Sequence, residues 1–135
     1  MRVPEYLAHK PIFGVDNYDR IDGKFANESD AKALSIGKSQ WNSEEISAKV
    51  WRYTGEKWKR QSEELPLHRV LDLAILILSM YIEDDNSNRA KTTLNEVIIN
   101  QSEIDLLNEF KDNNKQYLNP RIKEMKSLLE NINIE

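Results

Sequence analysis

The chain has 135 residues, of which 39% are hydrophobic and 31% charged, and it contains no cysteine. This size and composition are typical of one soluble globular domain, and they exclude disulfides, thiol catalysis and a cysteine-based zinc site. The formal net charge is -4, although residues 1–60 hold 11 basic against 9 acidic side chains, so the acidic excess lies in the remainder.

No segment has the character of a membrane anchor. Residues 1–14 lack the continuous apolar core of a signal peptide. The longest apolar run, residues 73–78, is far shorter than the roughly 20 residues that a membrane span needs. We therefore expect a cytoplasmic protein that does not enter a membrane.

The first 30 residues predict a loop-rich arm. Pro4, Pro11, Gly14 and Gly23 interrupt it, and aspartate and asparagine side chains are scattered among isolated apolar ones. Proline and glycine at such intervals favour turns over regular structure. The one strand that we expect in this arm is short and lies near Ile12.

Residues 31–61 predict strands and a hairpin. Apolar side chains alternate with small or polar ones in ALSIG and again in ISAKV, which is the period of a half-buried strand. In VWRYTGEKWKR, a two-residue turn at Gly-Glu sets Tyr53 opposite Trp58 and Trp51 opposite Arg60. Cross-strand aromatic pairs stabilise such a register by roughly 0.2 to 1 kcal/mol each. We therefore expect the aromatic side chains on one face of the hairpin.

Residues 62–83 predict the core helix. The stretch LPLHRVLDLAILILSMYI (65–82) opens with a proline, which the first turn of a helix tolerates, and then becomes apolar on every side. Ser62 is placed to cap the N-terminus of this helix. A helix without a polar face must be covered on most sides. The sequence therefore predicts a central buried helix that ends before the polar residues 84–88.

Residues 88–132 predict amphipathic helices. Ala90, Leu94, Val97 and Ile98 recur at helical spacing, although the local sequence TTLNEVII would also suit a strand. Two more helices follow, and the last of them has a narrow apolar seam. The seam consists of Leu118, Ile122, Met125, Leu129 and Ile132. It can pack within the chain or on a second copy, so a homodimer is one expectation.

A run of strands followed by a run of helices indicates an α+β fold. We expect residues 1–135 to form a single domain. In it, a small antiparallel sheet with a hairpin, from the N-terminal half, packs against a helical layer from the C-terminal half around the central buried helix.

Two sequence blocks resemble a known family. ALSIGKSQWNSEEISAKVWRY (33–53) and KWKRQSEELPLHRVLDL (57–73) are similar to parts of a family of small bacterial proteins, a domain of unknown function. The resemblance covers about Lys10 to Leu78, and the second block is the more specific part. It implies a bacterial, single-domain protein. It supplies no catalytic residue, so the chemistry has to be inferred from the side chains themselves.

Glu64, His68 and Asp72 are spaced by four residues, so in a continuous helix they lie along one face beside Arg69. On one interpretation, His68 is a general base oriented by Asp72 or Glu64, or binds a metal together with them. On the other, these groups form ion pairs that tie the hairpin to the helix. We favour the ion pairs, because no second histidine, nucleophile or phosphate-binding loop lies nearby. We therefore predict no catalytic residue, no metal and no cofactor.

Residues 49–60 combine three aromatic with five basic side chains, a combination that binds single-stranded nucleic acid. Aromatic residues on one face of a hairpin are, however, more often part of a core, and the net acidity of the chain weakens attraction to polyanions. The register also sets Arg52 opposite Lys59, a pair of like charges that needs solvent or an anion. We therefore do not expect nucleic acid as a partner.

The sequence thus predicts a small cytoplasmic interaction or ligand-binding module without catalytic activity, whose partner is a protein or a small molecule. An enzyme that uses His68 is the alternative. The expected binding surface lies where the hairpin meets the start of the core helix. Its residues are Trp51, Trp58, Arg60, Glu64, His68, Arg69 and Asp72.

Overall fold

A computed structural model gives the structure of the chain. It describes residues 1–5, 7–59, 63–83 and 89–135. These residues form two compact units, Met1–Asp72 and Leu73–Glu135. The expected cap at Ser62, the expected partner Arg60 and the expected polar break at 84–88 lie outside the described residues. Strands in the N-terminal half and helices in the C-terminal half confirm the α+β class.

The strands form one antiparallel sheet. They are β1 (Lys10–Asp16), β2 (Ala31–Lys38), β3 (Ile46–Arg52) and β4 (Glu64–Pro66). Their order in the sheet is β1-β2-β3-β4, so each strand pairs with the next one along the chain. The strand expected near Ile12 is confirmed as β1, and two single-turn 3-10 helices, Tyr18–Arg20 and Gly23–Phe25, connect it to β2.

The hairpin that follows β3 has the predicted register. Tyr53 and Trp58 form an antiparallel bridge. In the turn, Gly55 has a φ of 97°, a conformation that glycine adopts without the steric cost that other residues meet. The ring centroid of Trp58 lies 5.9 Å from that of Trp51 and 5.2 Å from that of Tyr53, and both contacts are edge to face. The expectation that these aromatic residues share a face is confirmed.

The two faces of the sheet differ in burial. We call the buried one the inner face. It carries Ala33, Ser35, Ser47, Lys49 and Trp51. Val3 and Leu7, from the residues before β1, pack against the aromatic core there. The opposite, outer face carries aliphatic side chains that remain partly or largely exposed, so the core of this unit lies on one side of the sheet.

Gly37 allows the start of β1 to approach β2 closely. A Cβ atom at this position would lie 2.1 Å from the carbonyl oxygen of Lys10 and 2.6 Å from the Cα of Pro11. Any other side chain would therefore push the two strands apart. His9 immediately precedes Lys10, so it lies next to this point of close approach.

The helix expected over residues 62–83 is shorter and begins later. Helix α1 spans Leu67–Ser79, because Glu64–Pro66 pairs with β3 as a strand instead. The expectation that this helix is the buried centre of the core is wrong. Leu71 is 64% exposed, and Ser79 is the only buried residue of α1. Apolar character all round the helix therefore did not indicate burial, and the core lies around Trp51.

The second unit contains two amphipathic helices, α2 (Ile104–Asn113) and α3 (Lys115–Asn131), as the sequence predicts. Of the predicted seam, Leu118, Ile122 and Met125 are half-buried, whereas Leu129 and Ile132, which lies just after α3, are exposed. Among the described residues, none of the helices is both long and apolar enough to cross a bilayer.

Residues 89–100 are irregular, so the helix expected there is wrong, and the alternative strand is not formed either. The carboxylate of Glu96 accepts hydrogen bonds from the backbone amides of Lys91 at 2.5 Å and Thr92 at 3.2 Å. Asn95 adopts a left-handed conformation with a φ of 60°. Side-chain capture of backbone N–H groups competes with helix formation, which explains why the apolar spacing misled here.

Candidate functional site

The structure separates the residues of the predicted binding surface. Glu64 lies in β4 with a buried side chain, whereas His68, Arg69 and Asp72 are exposed on α1. The expected line of carboxylates and imidazole along one helix face is therefore wrong, because the helix begins only after Glu64. The tryptophans expected as the walls of this surface, Trp51 and Trp58, are buried in the core.

A different set of polar side chains meets on the inner face, and we call it the buried network. It consists of His9, Ser35, Ser47, Lys49, Trp51 and Glu64. His9 is fully buried, with Nε2 2.9 Å from Ser35 Oγ and Nδ1 3.0 Å from Ser47 Oγ. Ser47 Oγ lies 2.8 Å from Oε2 of Glu64. The network thus connects β2, β3 and β4 to the residue that precedes β1.

The hydrogen bonds of the network run in one direction. Trp51 Nε1 donates to Ser35 Oγ at 2.8 Å. An ionised Glu64 can only accept, so the Ser47 hydroxyl donates to it, and His9 Nδ1–H then donates to Ser47. The remaining nitrogen, His9 Nε2, accepts from the Ser35 hydroxyl. The network therefore assigns a neutral His9 with its proton on Nδ1.

Glu64 has two further partners. The backbone amide of Gln40 donates to Oε2 at 3.1 Å, and the ammonium of Lys49 lies 3.7 Å from Oε1. Burial raises the pKa of Glu64, but hydrogen bonds from Ser47 and Gln40, together with the nearby His9 and Lys49, outweigh it and leave that pKa lowered. Burial lowers the pKa of Lys49. The Lys49 ammonium also lies 4.1 Å from the ring centroid of Trp51, a cation–π contact.

The buried network contains a serine, a histidine and a carboxylate, which are also the groups of nucleophilic hydrolases. Two observations favour a structural role. Ser35 is buried, and its oxygen already accepts a hydrogen bond from Trp51, so no substrate carbon can approach it. His9 has no exposed surface. In the part of the chain that the structure describes, no group of three histidine or acidic side chains could hold a metal ion.

Acidification is expected to lower the free energy of unfolding through His9. Burial lowers the pKa of His9 below its ordinary 6.5, although the nearby Glu64 opposes this shift. The unfolded chain therefore takes up a proton at a pH where the folded chain does not. This contribution to the free energy of unfolding is fully present above pH 6.5. It is lost as the pH falls towards the pKa of His9 in the folded chain. Urea unfolding at about pH 7 and about pH 5.5 measures the loss.

The variant His9→Gln removes the titrating group and should reduce this pH dependence. His68→Gln is the matched control, because it removes an exposed histidine and keeps His9 with all its partners. An unchanged dependence on pH in His9→Gln would contradict the assignment of a neutral, buried His9.

In the described part of the hairpin, the two tryptophans are buried and are not available for stacking on nucleic-acid bases. The guanidinium of Arg52 lies 2.5 Å from Asp30 and 2.6 Å from Glu63, and the ammonium of Lys59 lies 3.3 Å from Asp30. The like charges of Arg52 and Lys59, which the sequence predicted to need an anion, thus share a carboxylate of the chain itself.

Sequence reasoning missed most of the buried network, although one signal was present. In ISAKVW, strand alternation places Ser47 and Lys49 on the same face as Trp51. If Trp51 belongs to the core, the lysine is buried and needs a carboxylate partner. That reasoning leads to an acidic residue on a neighbouring strand, which is the position of Glu64. No comparable signal identifies His9.

The outer face of the sheet presents a continuous apolar surface. Phe13 lies opposite Ile36, Val15 opposite Leu34, and Val50 continues the row on β3. Phe13 is 74% exposed, and the aliphatic residues of this row are at least partly exposed. Apolar side chains on neighbouring strands form one patch because paired residues point to the same face.

Comparison with known proteins gives one match. A family model described as a family of unknown function, DUF6530, matches residues 1–100. No curated protein and no solved structure matches the chain. The expected resemblance to a family without an assigned function is thereby confirmed, and its bacterial origin stays a prediction.

Proposed function

Because the chain belongs to DUF6530, a family of unknown function, we propose its role from its own surface. We propose that it is an interaction module without catalytic activity, and that a second copy of the chain binds the outer face of its sheet. The observation that supports this proposal is the exposed apolar patch around Phe13 and Ile36.

An exposed patch of this kind is costly in water. Burial of apolar surface contributes about 25 cal/mol per Å², and soluble monomers rarely leave large contiguous apolar areas uncovered. The inner face cannot accept a partner, because the N-terminal residues and the aromatic core already occupy it. The outer face is therefore the surface of the sheet that gains most from a partner.

The distribution of charge favours a second copy as that partner. In a two-fold interface the same patch meets itself, so a charge at its centre would face its own copy. The centre of the outer face is apolar, and its cations, Lys10, Lys32, Lys38 and Arg52, lie towards the ends of β1, β2 and β3. Lys32 pairs with Asp19 at 3.3 Å. An apolar centre with a charged rim is the usual composition of a protein interface.

Phe13→Glu is expected to convert a dimer into a monomer. The substitution places a charge within the apolar patch, where a two-fold interface would bury it. Light scattering at increasing concentration should give twice 15.8 kDa for the unmodified chain and 15.8 kDa for the variant.

The matched control for this prediction is Phe25→Glu. Phe25 is also an exposed phenylalanine, but it lies in a 3-10 helix between β1 and β2 and not on the outer face. This variant should remain dimeric. A species of 15.8 kDa at every concentration, for the unmodified chain, would refute the proposed assembly.

We further propose a bacterial, cytoplasmic setting. The support for a bacterial origin is the resemblance of residues 33–53 and 57–73 to small bacterial proteins. Cell fractionation of the tagged chain tests the location, and recovery in any fraction other than the cytoplasm would contradict it.

A further inference from the structure

The unit Leu73–Glu135 contains a concave site of about 850 Å³. It lies between the C-terminal half of α1, residues 96–100 and α2. Sites that bind small molecules typically have volumes of about 300 to 1,000 Å³, so this one is large enough for an extended organic ligand.

Much of the wall of this site is aliphatic. Leu76 and Met80 come from the end of α1, Ile98 from the irregular segment, and Ile104 and Leu107 from α2. None of these five side chains can donate or accept a strong hydrogen bond. The wall therefore suits a ligand that is itself a hydrocarbon over most of its length.

Two lysines form a basic end to the site. The ammonium of Lys91 donates to the carbonyl oxygen of Ile82 at 2.9 Å, and that of Lys111 donates to the carbonyl oxygen of Met80 at 2.7 Å. Both ammonium groups are thus held just beyond the C-terminus of α1, at carbonyls two positions apart. Each ammonium has three N–H donors, so donors remain for a further acceptor.

The carboxylate of Glu96 lines the same site but does not neutralise these lysines. Its oxygens accept hydrogen bonds from the Thr92 hydroxyl at 2.6 Å and from the backbone amides of Lys91 and Thr92. These bonds lower the pKa of Glu96 to about 2 and close the loop that holds Lys91 in place. Among the described residues, neither lysine has an ion pair with a carboxylate.

Glu83, Arg89 and Glu103 complete the charged part of the lining, so anionic groups also border the site. Among the described residues of the lining, Lys91 and Lys111 are held by hydrogen bonds to backbone carbonyls just beyond the C-terminus of α1. Their carbonyl acceptors are two residues apart in the chain, and an anion that reached both ammonium groups would be stabilised by each.

We propose that this site binds an aliphatic carboxylate, with the chain against the aliphatic wall and the carboxylate at Lys91 and Lys111. The binding site lies in the second unit and does not depend on the assembly through the outer face. The aliphatic wall suits the hydrocarbon chain of such a ligand, and the two lysines suit its carboxylate.

Decanoate is the probe that tests this proposal. Titration calorimetry on the full chain should detect saturable binding, and affinity should rise about fourfold for each methylene added from octanoate to dodecanoate. Decanol, which has the same chain without the charge, should bind about tenfold more weakly, because a charge-assisted hydrogen bond is lost. Amide chemical shifts of the decanoate complex should change in residues 76–111 and not on the sheet.

The variants Lys91→Met and Lys111→Met should each weaken decanoate binding about tenfold and leave decanol binding unchanged. Lys126→Met, on α3 outside the lining, is the matched control. Absence of saturable decanoate binding would overturn the proposal. Equal affinity for decanoate and decanol in the unmodified chain would overturn the role of the lysines, even if the variants proved unstable.

Discussion

Replacing Glu64 with alanine is expected to lower the free energy of unfolding by about 3 to 5 kcal/mol, because removal of one partner leaves a buried charge uncompensated. The side chain of Glu64 is 1% exposed, and it accepts hydrogen bonds from Ser47 and Gln40 beside the Lys49 ammonium. Since small domains are stable by only about 5 to 15 kcal/mol, this is a large fraction of the total. Urea unfolding followed by circular dichroism measures it.

The neighbouring residue provides a matched control. Glu63 also forms an ion pair, with Arg52, but its side chain is 53% exposed. Exposed pairs contribute about 0.2 to 1 kcal/mol, so Glu63→Ala should cost much less. If Glu64→Ala and Glu63→Ala lowered the free energy of unfolding equally, burial would not explain the importance of Glu64. Glu64→Gln keeps the hydrogen bonds and removes the charge, and Lys49→Met in that background should recover part of the loss.

Replacing Trp51 with alanine is expected to cost about 3 to 5 kcal/mol as well, but for a different reason. Trp51 is fully buried, and its ring contacts His9 and Trp58 edge to face. Its loss leaves a cavity at the centre of the core and also removes the donor that satisfies Ser35. Urea or thermal unfolding measures the change.

Trp41→Ala is the control for this substitution. Trp41 lies between β2 and β3 and is 50% exposed, so its removal creates no cavity in the core. We expect a change of about 0.5 kcal/mol or less. If the two variants lost similar stability, the core would not be centred on Trp51.

The hairpin could be predicted in detail because its signal is local. The turn glycine and the aromatic residues that flank it determine which side chains face each other, so Tyr53 and Trp58 were paired correctly. Alternation of apolar and small residues likewise located β2 and β3. In each case the residues that define the element are close neighbours in sequence.

The sequence of strand β4 predicts the start of a helix because Pro66 fits both structures. A proline is tolerated in the first turn of a helix and also on an edge strand, where no partner needs its missing N–H group. Pairing of Glu64 with Lys49 decides between them, and that pair joins residues far apart in sequence. If residues 64–66 are helical, Glu64 does not lie on the inner face of the sheet. The buried network therefore could not be recognised from the predicted helix.

The position of His9 and the exposure of α1 could not be predicted for a related reason. His9 meets Ser47 and Glu64 through contacts that only the folded sheet creates. The apolar residues of α1 show that the helix benefits from being covered, but periodicity does not identify what covers it. The local sequence therefore predicts individual strands and helices better than it predicts which residues pack against them.

The two edges of the sheet are each poorly suited to the addition of a further strand. On one edge, β4 is only three residues long and ends at Pro66, which has no amide hydrogen to donate. On the other, β1 contains Pro11 and an irregular register between Pro11 and Phe13. Unbroken edges are templates for open-ended polymers and fibrils. Growth by strand addition is therefore disfavoured at both edges, whereas the proposed face-to-face pairing of two copies would close without leaving a site for a third.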